Sequence, residues 1–141
     1  MQSLLEQDCE PIEIIVSDDA STDSTFDKIR ALAEIYDGPH GFVARRNGVN
    51  LGVNQHIELA ISLASSDLMI WIAGDDGNAP NRAQRVVDCH RRTAAKLLYS
   101  DAETLTPDGR PGTHDYRNAL LYNAFGLNDA AGSCSLYLGA T

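Results

Sequence analysis

The run Leu68-Met69-Ile70-Trp71-Ile72-Ala73-Gly74-Asp75-Asp76 sets the frame for the rest of the chain. Residues 68–73 are apolar without a break and rich in bulky and β-branched side chains. A run that short suits a strand buried on both faces, because a helix needs more length. On this reading Trp71 belongs to the core. The strand empties into Gly74 and two adjacent carboxylates, and Gly77, Asn78 and Pro80 carry a loop onward. In an open α/β sheet, ligands sit beyond the carboxyl ends of the strands, so polar residues there are placed for chemistry. Two neighbouring acids repel unless a cation lies beside them, and hard divalent ions are the usual partners of oxygen ligands. A solvated turn behind a core strand accounts for the same residues, since Asp and Gly favour turns in any case. On this stretch alone the two readings weigh equally.

The chain has 141 residues, enough for one domain, or a large piece of one, with a buried core. Twenty acidic against 11 basic residues give a formal net charge of −9. That balance argues against a nucleic-acid partner, which calls for basic patches. A nucleotide stays open, because one metal ion and a few local donors neutralise a diphosphate. Cys9, Cys89 and Cys134 have no paired spacing and cannot all pair within one chain, so they read as free thiols, most simply as small buried hydrophobes. No apolar run reaches membrane-span length and no basic-then-apolar leader opens the chain, which points to a soluble, cytoplasmic protein.

Outward from the central run, the order of elements is regular. Residues 3–7 read as the tail of a helix. Residues 12–16, with four β-branched aliphatics, are a strand that runs into the polar loop Ser17-Asp18-Asp19-Ala20-Ser21-Thr22-Asp23. Ser24 followed by Asp27 is a loose capping-box pattern. Phe26, Ile29, Leu32, Ala33 and Tyr36 then recur at helical spacing until Asp37-Gly38-Pro39. A short strand at 42–44 leads into the Asn/Gly-rich loop 45–52 and a helix over 54–64, with Ile57, Ala60, Ile61 and Ala64 on one face. Pro80 suits the first turn of a further helix, with Val86, Val87 and His90 inward and Arg91-Arg92 in its last turn. Leu97-Leu98-Tyr99 reads as a strand ending at Ser100-Asp101, Pro107-Asp108-Gly109-Arg110 as a hairpin turn, 119–125 as a short helical patch and 133–138 as a last strand. Alternating strands and helices imply an α/β fold: a mostly parallel, Rossmann-like sheet with helices on both faces.

Six pieces of this order are specific when taken together: Ser3-Leu4-Leu5-Glu6-Gln7; residues 12–22 (IEIIVSDDAST); Asn50-Leu51-Gly52; Ala73-Gly74-Asp75-Asp76 with Pro80; Tyr99-Ser100-Asp101-Ala102-Glu103 with Asp108-Gly109; and Gly132-Ser133-Cys134-Ser135-Leu136-Tyr137. In that order and spacing the chain resembles the family 2 glycosyltransferases, which have the GT-A fold. The resemblance covers essentially all of residues 1–141, read as a single, partial nucleotide-sugar-binding domain. It implies inverting transfer of a sugar from a nucleotide diphosphate, UDP- or dTDP-linked, to a hydroxyl of a glycan or lipid-linked acceptor, as in polysaccharide biosynthesis. By the same resemblance Asp19, with Asp18 beside it, contacts the base. Asp75 faces the ribose or shares the metal shell, and Asp76 ligates Mn2+ or Mg2+. A carboxylate does accept from a ring N–H of uracil or thymine, and helix capping by the same two acids is the alternative.

Two departures from the family pattern carry expectations. Such enzymes begin with a strand that this sequence lacks, so the first strand of the sheet is missing. Its place is expected to be filled by another chain, as in a homo-oligomer, by a rearranged segment, or by residues outside this sequence. The family's general base is an acid beyond the strand at 133–138, and none follows before Thr141, so this stretch alone is expected to carry the donor-binding half and to turn over poorly. Arg45 and Arg46 could approach a diphosphate but read more simply as solvated loop cations, and His56, His90 and His114 have no metal-ligand spacing. Asp101 either lines the acceptor side or bonds at the edge of the core. A non-catalytic nucleotide-binding or interaction module on the same scaffold is the rival reading. A nucleotidyltransferase would need a Gly-rich basic signature near the amino end, and none is present.

Overall fold

Ile14, Ile15 and Val16 are successive β-branched residues whose stiff side chains favour the extended backbone, and they lie in strand β1 (Glu13–Asp18). The computed structural model describes residues 1–98, 100–104 and 137–140. The chain divides into two compact units, residues 11–69 on one side and residues 1–10 with 70–141 on the other.

In the unit of residues 11–69, β1 pairs in parallel with β2 (Gly41–Arg46), from Glu13 opposite Gly41 to Asp18 opposite Arg46. The crossover between them is helix α2 (Thr25–Ile35), which packs back on both strands. Its inward face is the predicted one. Ile29 is buried, Phe26, Leu32, Ala33 and Tyr36 are half-buried, and Ile35 on the far side is 75% exposed. Tyr36 meets Phe42 edge to face at 5.9 Å between ring centroids, which fixes the helix end against β2. Ser24 does precede α2, but its side chain makes no cap; Asp23 Oδ1 accepts the Thr25 N–H instead, at 2.9 Å. Helix α3 (Val53–Ser62) follows, with Ile61 more exposed than its predicted place on the inner face. Both the N–H and the hydroxyl of Ser65 donate to Glu13 Oε2, tying the exit of α3 to the start of β1. These bonds hold the Glu13 carboxyl below its ordinary range. Among the described residues no strand pairs with the other edge of β1.

The other unit holds helix α1 (Gln2–Leu5), helix α4 (Arg82–Thr93) and strands β3 (Asp101–Thr104) and β4 (Tyr137–Ala140), which pair in parallel. On α4 the buried stripe is Ala83, Val86 and Cys89, one residue off the predicted stripe at its end. Cys89 is 1% exposed and acts as a small core residue. Ala94, in the left-handed region at φ 51°, ends the helix, and its N–H bonds the His90 carbonyl. The strand expected at 97–99 begins instead at Asp101, and Leu97 is 68% exposed. The predicted turn at 107–110, the helical patch at 119–125, His114 and Cys134 lie outside the described residues.

Residues 68–73 depart most from expectation. Among the described residues they join no ladder, and Met69 and Trp71 are 46% and 56% exposed while Leu68, Ile70 and Ile72 are half-buried. An apolar run gives a strand's hydrogen bonds only when a neighbouring strand supplies partners. With none among the described residues, the segment buries alternate residues and leaves Trp71 56% exposed rather than in the core.

Candidate functional site

The first acid pair closes the carboxyl end of β1. The side chain of Asp18 is 2% exposed. Its Oδ2 accepts the Ser21 N–H at 3.1 Å and pairs with Arg46 Nε at 3.4 Å. Arg46 also donates to the Ser21 carbonyl at 2.6 Å and lies over the Phe26 ring at 5.7 Å. It is therefore a structural pin and not the solvated loop cation its position suggested. Between these ties Ala20 is held at φ 62°, a conformation that costs an L-residue roughly 1–2 kcal/mol.

Asp19 faces the loop after β2. Asn47 Nδ2 and the Leu51 N–H donate to its Oδ1 at 2.7 and 2.9 Å, and the Gly52 N–H donates to its Oδ2 at 2.9 Å. Gly52 can present its amide this way because it sits at φ 75°, where a side chain would be strained. His56, whose Nε2 lies 2.6 Å from Ser17 Oγ, acts on the same carboxylate through its charge. The Leu51 amide is the main reason the Asp19 carboxyl lies below the ordinary aspartate range. A carboxyl depressed in the folded state adds stability that is present above its unfolded value of about 3.9 and lost as pH falls through the folded value. Amide exchange at Leu51 and Gly52 should therefore stay slow below that pH and accelerate only when Asp19 protonates. In Asp19→Asn, which faces N–H donors with an amide, the two amides should exchange fast at every pH.

The second acid pair lies in the other unit. Asp75 and Asp76 are both exposed, in a turn closed by the Asp76 N–H on the Ala73 carbonyl at 3.2 Å. From the first turn of α4, Arg82 reaches back over this turn. Its Nη2 donates to the Trp71 carbonyl at 3.3 Å and its Nη1 to Asn78 Oδ1 at 2.9 Å. Burial pulls the Arg82 guanidinium below its ordinary pKa, and the charge of Asp76 pushes it back. Arg82 Nε and Asn78 Nδ2 are buried with no hydrogen-bond partner among the described residues, and an unmet buried donor costs about 1–3 kcal/mol.

Gln7 fixes where α4 begins. Asn81 occupies the N-cap position but its side chain bonds no helix amide. The buried Gln7 amide supplies the cap from a distant part of the sequence: Oε1 accepts the Ala83 N–H at 2.9 Å, while Nε2 donates to the carbonyls of Ser3 and Ala79, both at 2.8 Å. Ser3 Oγ accepts the Asn78 N–H at 3.0 Å, and the Asp8 N–H bonds the Pro80 carbonyl at 2.7 Å. The start of the chain thus positions the loop that carries Asp75 and Asp76. Sequence reasoning placed residues 3–7 in a familiar segment but gave them no task. The roles of Gln7 and Arg82 depend on contacts 76 and 11 residues away that no local pattern encodes.

Among the described residues no three His, Cys, Asp or Glu side chains are grouped to hold a metal. Adjacent exposed carboxylates still suit a hard cation whose remaining ligands come from a diphosphate and water, because such ions commonly take only one or two carboxylates from the protein. His40 Nδ1 accepts the Ile12 N–H and His90 Nδ1 meets the Ala95 carbonyl, so both have structural contacts.

The sequence profile of the family described as Glycosyl transferase family 2 matches residues 1–135, nearly the whole chain. The chain belongs to that family. Its glycosyl transferase family 2 membership, with parallel strand pairs of which β1 and β2 are joined by helix α2, makes the fold α/β and GT-A-like. An abequosyltransferase, RfbV, of Salmonella typhimurium (strain LT2) is 43% identical over 90 residues, 64% of this chain. The matched stretch spans about a quarter (26%) of that relative's length. No solved structure matches the chain significantly. Among the described residues no helix is long and apolar enough to cross a membrane.

Proposed function

We propose that this chain carries the donor-binding part of a glycosyltransferase that moves a sugar from a nucleotide diphosphate to an acceptor hydroxyl with inversion. The observation that carries the reading is the exposed Asp75–Asp76 pair on a loop braced by Arg82, in a chain that belongs to family 2. Asp76 is the residue assigned to hold Mn2+ or Mg2+, and Asp75 shares that shell or faces the ribose. When bound, the cation supplies charge stabilisation to the departing diphosphate. Asp19 and Asp18 are assigned to the base of a UDP- or dTDP-linked donor. With three N–H groups already on its two oxygens, Asp19 keeps lone-pair capacity for about one further donor. No residue is assigned as the general base for the acceptor. The acceptor is proposed to be a glycan or lipid-linked hydroxyl in cytoplasmic polysaccharide assembly, and the relative's name makes abequose the first donor sugar to try.

Trp71 gives a direct test. It is the chain's single tryptophan, it is 56% exposed, and its carbonyl is tied to Arg82 beside the acid pair. In Mn2+, its fluorescence should change on adding UDP or dTDP, while UMP and free sugars should have at least about tenfold weaker effect, because they lack the pyrophosphate that shares the cation. Equal responses to UMP and UDP would overturn the assignment. The rival, a non-catalytic module, has one observation in its favour: Asp18 and Asp19 both hold loops together within the protein. As a nucleotide-binding module it predicts a response that does not need the metal, and as a purely interacting module none at all.

A further inference from the structure

We infer that Arg82 is a positioning residue that clamps the two ends of the Asp75–Asp76 loop; the inference rests on the reading of Asp76 as a cation ligand. Two neighbouring carboxylates in water repel one another, and the turn that carries them has glycine on both sides, at Gly74 and Gly77. Among the described residues an added side chain at Gly74 would meet nothing within 4 Å, so packing does little to define the turn on that side. A specific hold reaches it from α4. The Arg82 guanidinium takes hold of the chain before the turn, at the Trp71 carbonyl, and after it, at Asn78 Oδ1.

A planar fork with donors fixed in different directions can do this, whereas a lysine ammonium has the charge without the geometry. The second hold on the loop, the Asn78 N–H on Ser3 Oγ, comes from the same group of contacts that fixes the start of α4. The guanidinium also places a positive charge near Asp76, so the acids are partly balanced before any cation arrives. Among the described residues the arrangement leaves Arg82 Nε and Asn78 Nδ2 buried without partners. Stability alone would not favour two unmet donors beside two exposed acids, and such local conflicts are expected where a site is being held in shape.

The test compares Arg82→Lys and Arg82→Gln with the parent chain in two measurements. In the first, amide exchange is followed without any cation. In both variants the Asp76 and Asn78 amides should exchange about tenfold faster or more, while the α4 amides keep their protection and so report that the fold is intact. In the second, UDP affinity is measured in Mn2+, and Arg82→Lys should lose about tenfold, the scale expected when the support behind a metal ligand is removed. Unchanged exchange in both variants would overturn the clamp. Unchanged or tighter UDP affinity in Arg82→Lys would show that Arg82 acts by charge alone or competes with the cation. Should the parent chain show no Mn2+-dependent binding, the cation reading fails, and the exchange measurement still decides whether Arg82 holds the loop.

Discussion

Asp76→Ala is expected to lower UDP or dTDP affinity in Mn2+ by about 100-fold or more while leaving thermal stability nearly unchanged. Removing a group that merely supports a metal ligand commonly costs 10–100-fold, and a ligand itself should cost no less. The side chain is exposed, and its backbone N–H to the Ala73 carbonyl survives the substitution, so the turn should persist. Asp76→Asn separates charge from shape. It keeps one oxygen and the size of the side chain but not the negative charge that a hard cation selects, so its loss should approach that of alanine. If alanine and asparagine both bind as the parent does, Asp76 is only part of a solvated turn. Equilibrium titration with the nucleotide at fixed Mn2+ gives the answer, and circular dichroism melts check the fold.

Gln7→Ala should be the most destabilising single change outside the apolar core, costing about 2–4 kcal/mol in urea unfolding. Gln7 is 6% exposed, and among the described residues its side-chain amide donates to the Ser3 and Ala79 carbonyls and accepts the Ala83 N–H. Alanine leaves a helix amide uncapped in a buried place and opens a gap where the side chain stood. Gln7→Glu is the more informative variant. The introduced carboxylate still accepts from Ala83 but sets negative charge against two carbonyl oxygens, which raises its folded-state pKa above the ordinary glutamate value of about 4.3. For a group raised in this way, stability is fully present below the unfolded value and falls as pH rises through the folded one. Gln7→Glu should therefore approach the parent in acid and lose stability towards neutrality. A flat pH response would show that the Gln7 contacts contribute little.

Much of the first unit was legible from side-chain pattern. The β-branched run 14–16 and the 3.6-residue period of Phe26, Ile29, Leu32 and Tyr36 express local preference and burial at once, and both agree with β1 and α2. The run 68–73 was misread because apolar character marks a segment fit for pairing but cannot supply the neighbouring strand. Charge was read less well than pattern. Arg46 looked like a solvated loop cation, yet a strand register that sets it opposite Asp18 makes it a pin for the β1 loop. Acids were found because turns and sites both concentrate them, whereas Gln7 and Arg82 each also hold a backbone group far along the sequence, the Ala83 N–H and the Trp71 carbonyl, which no local pattern marks.

The most direct measurement is a calorimetric titration of the unmodified chain with UDP and with dTDP, in Mn2+ and again in excess chelator. The account predicts that at least one of the two binds in Mn2+ and that chelation weakens it by more than about tenfold, since Asp76 and the pyrophosphate would have lost the ion they share. Binding of the same strength in chelator, or no binding of either nucleotide in Mn2+, would contradict it.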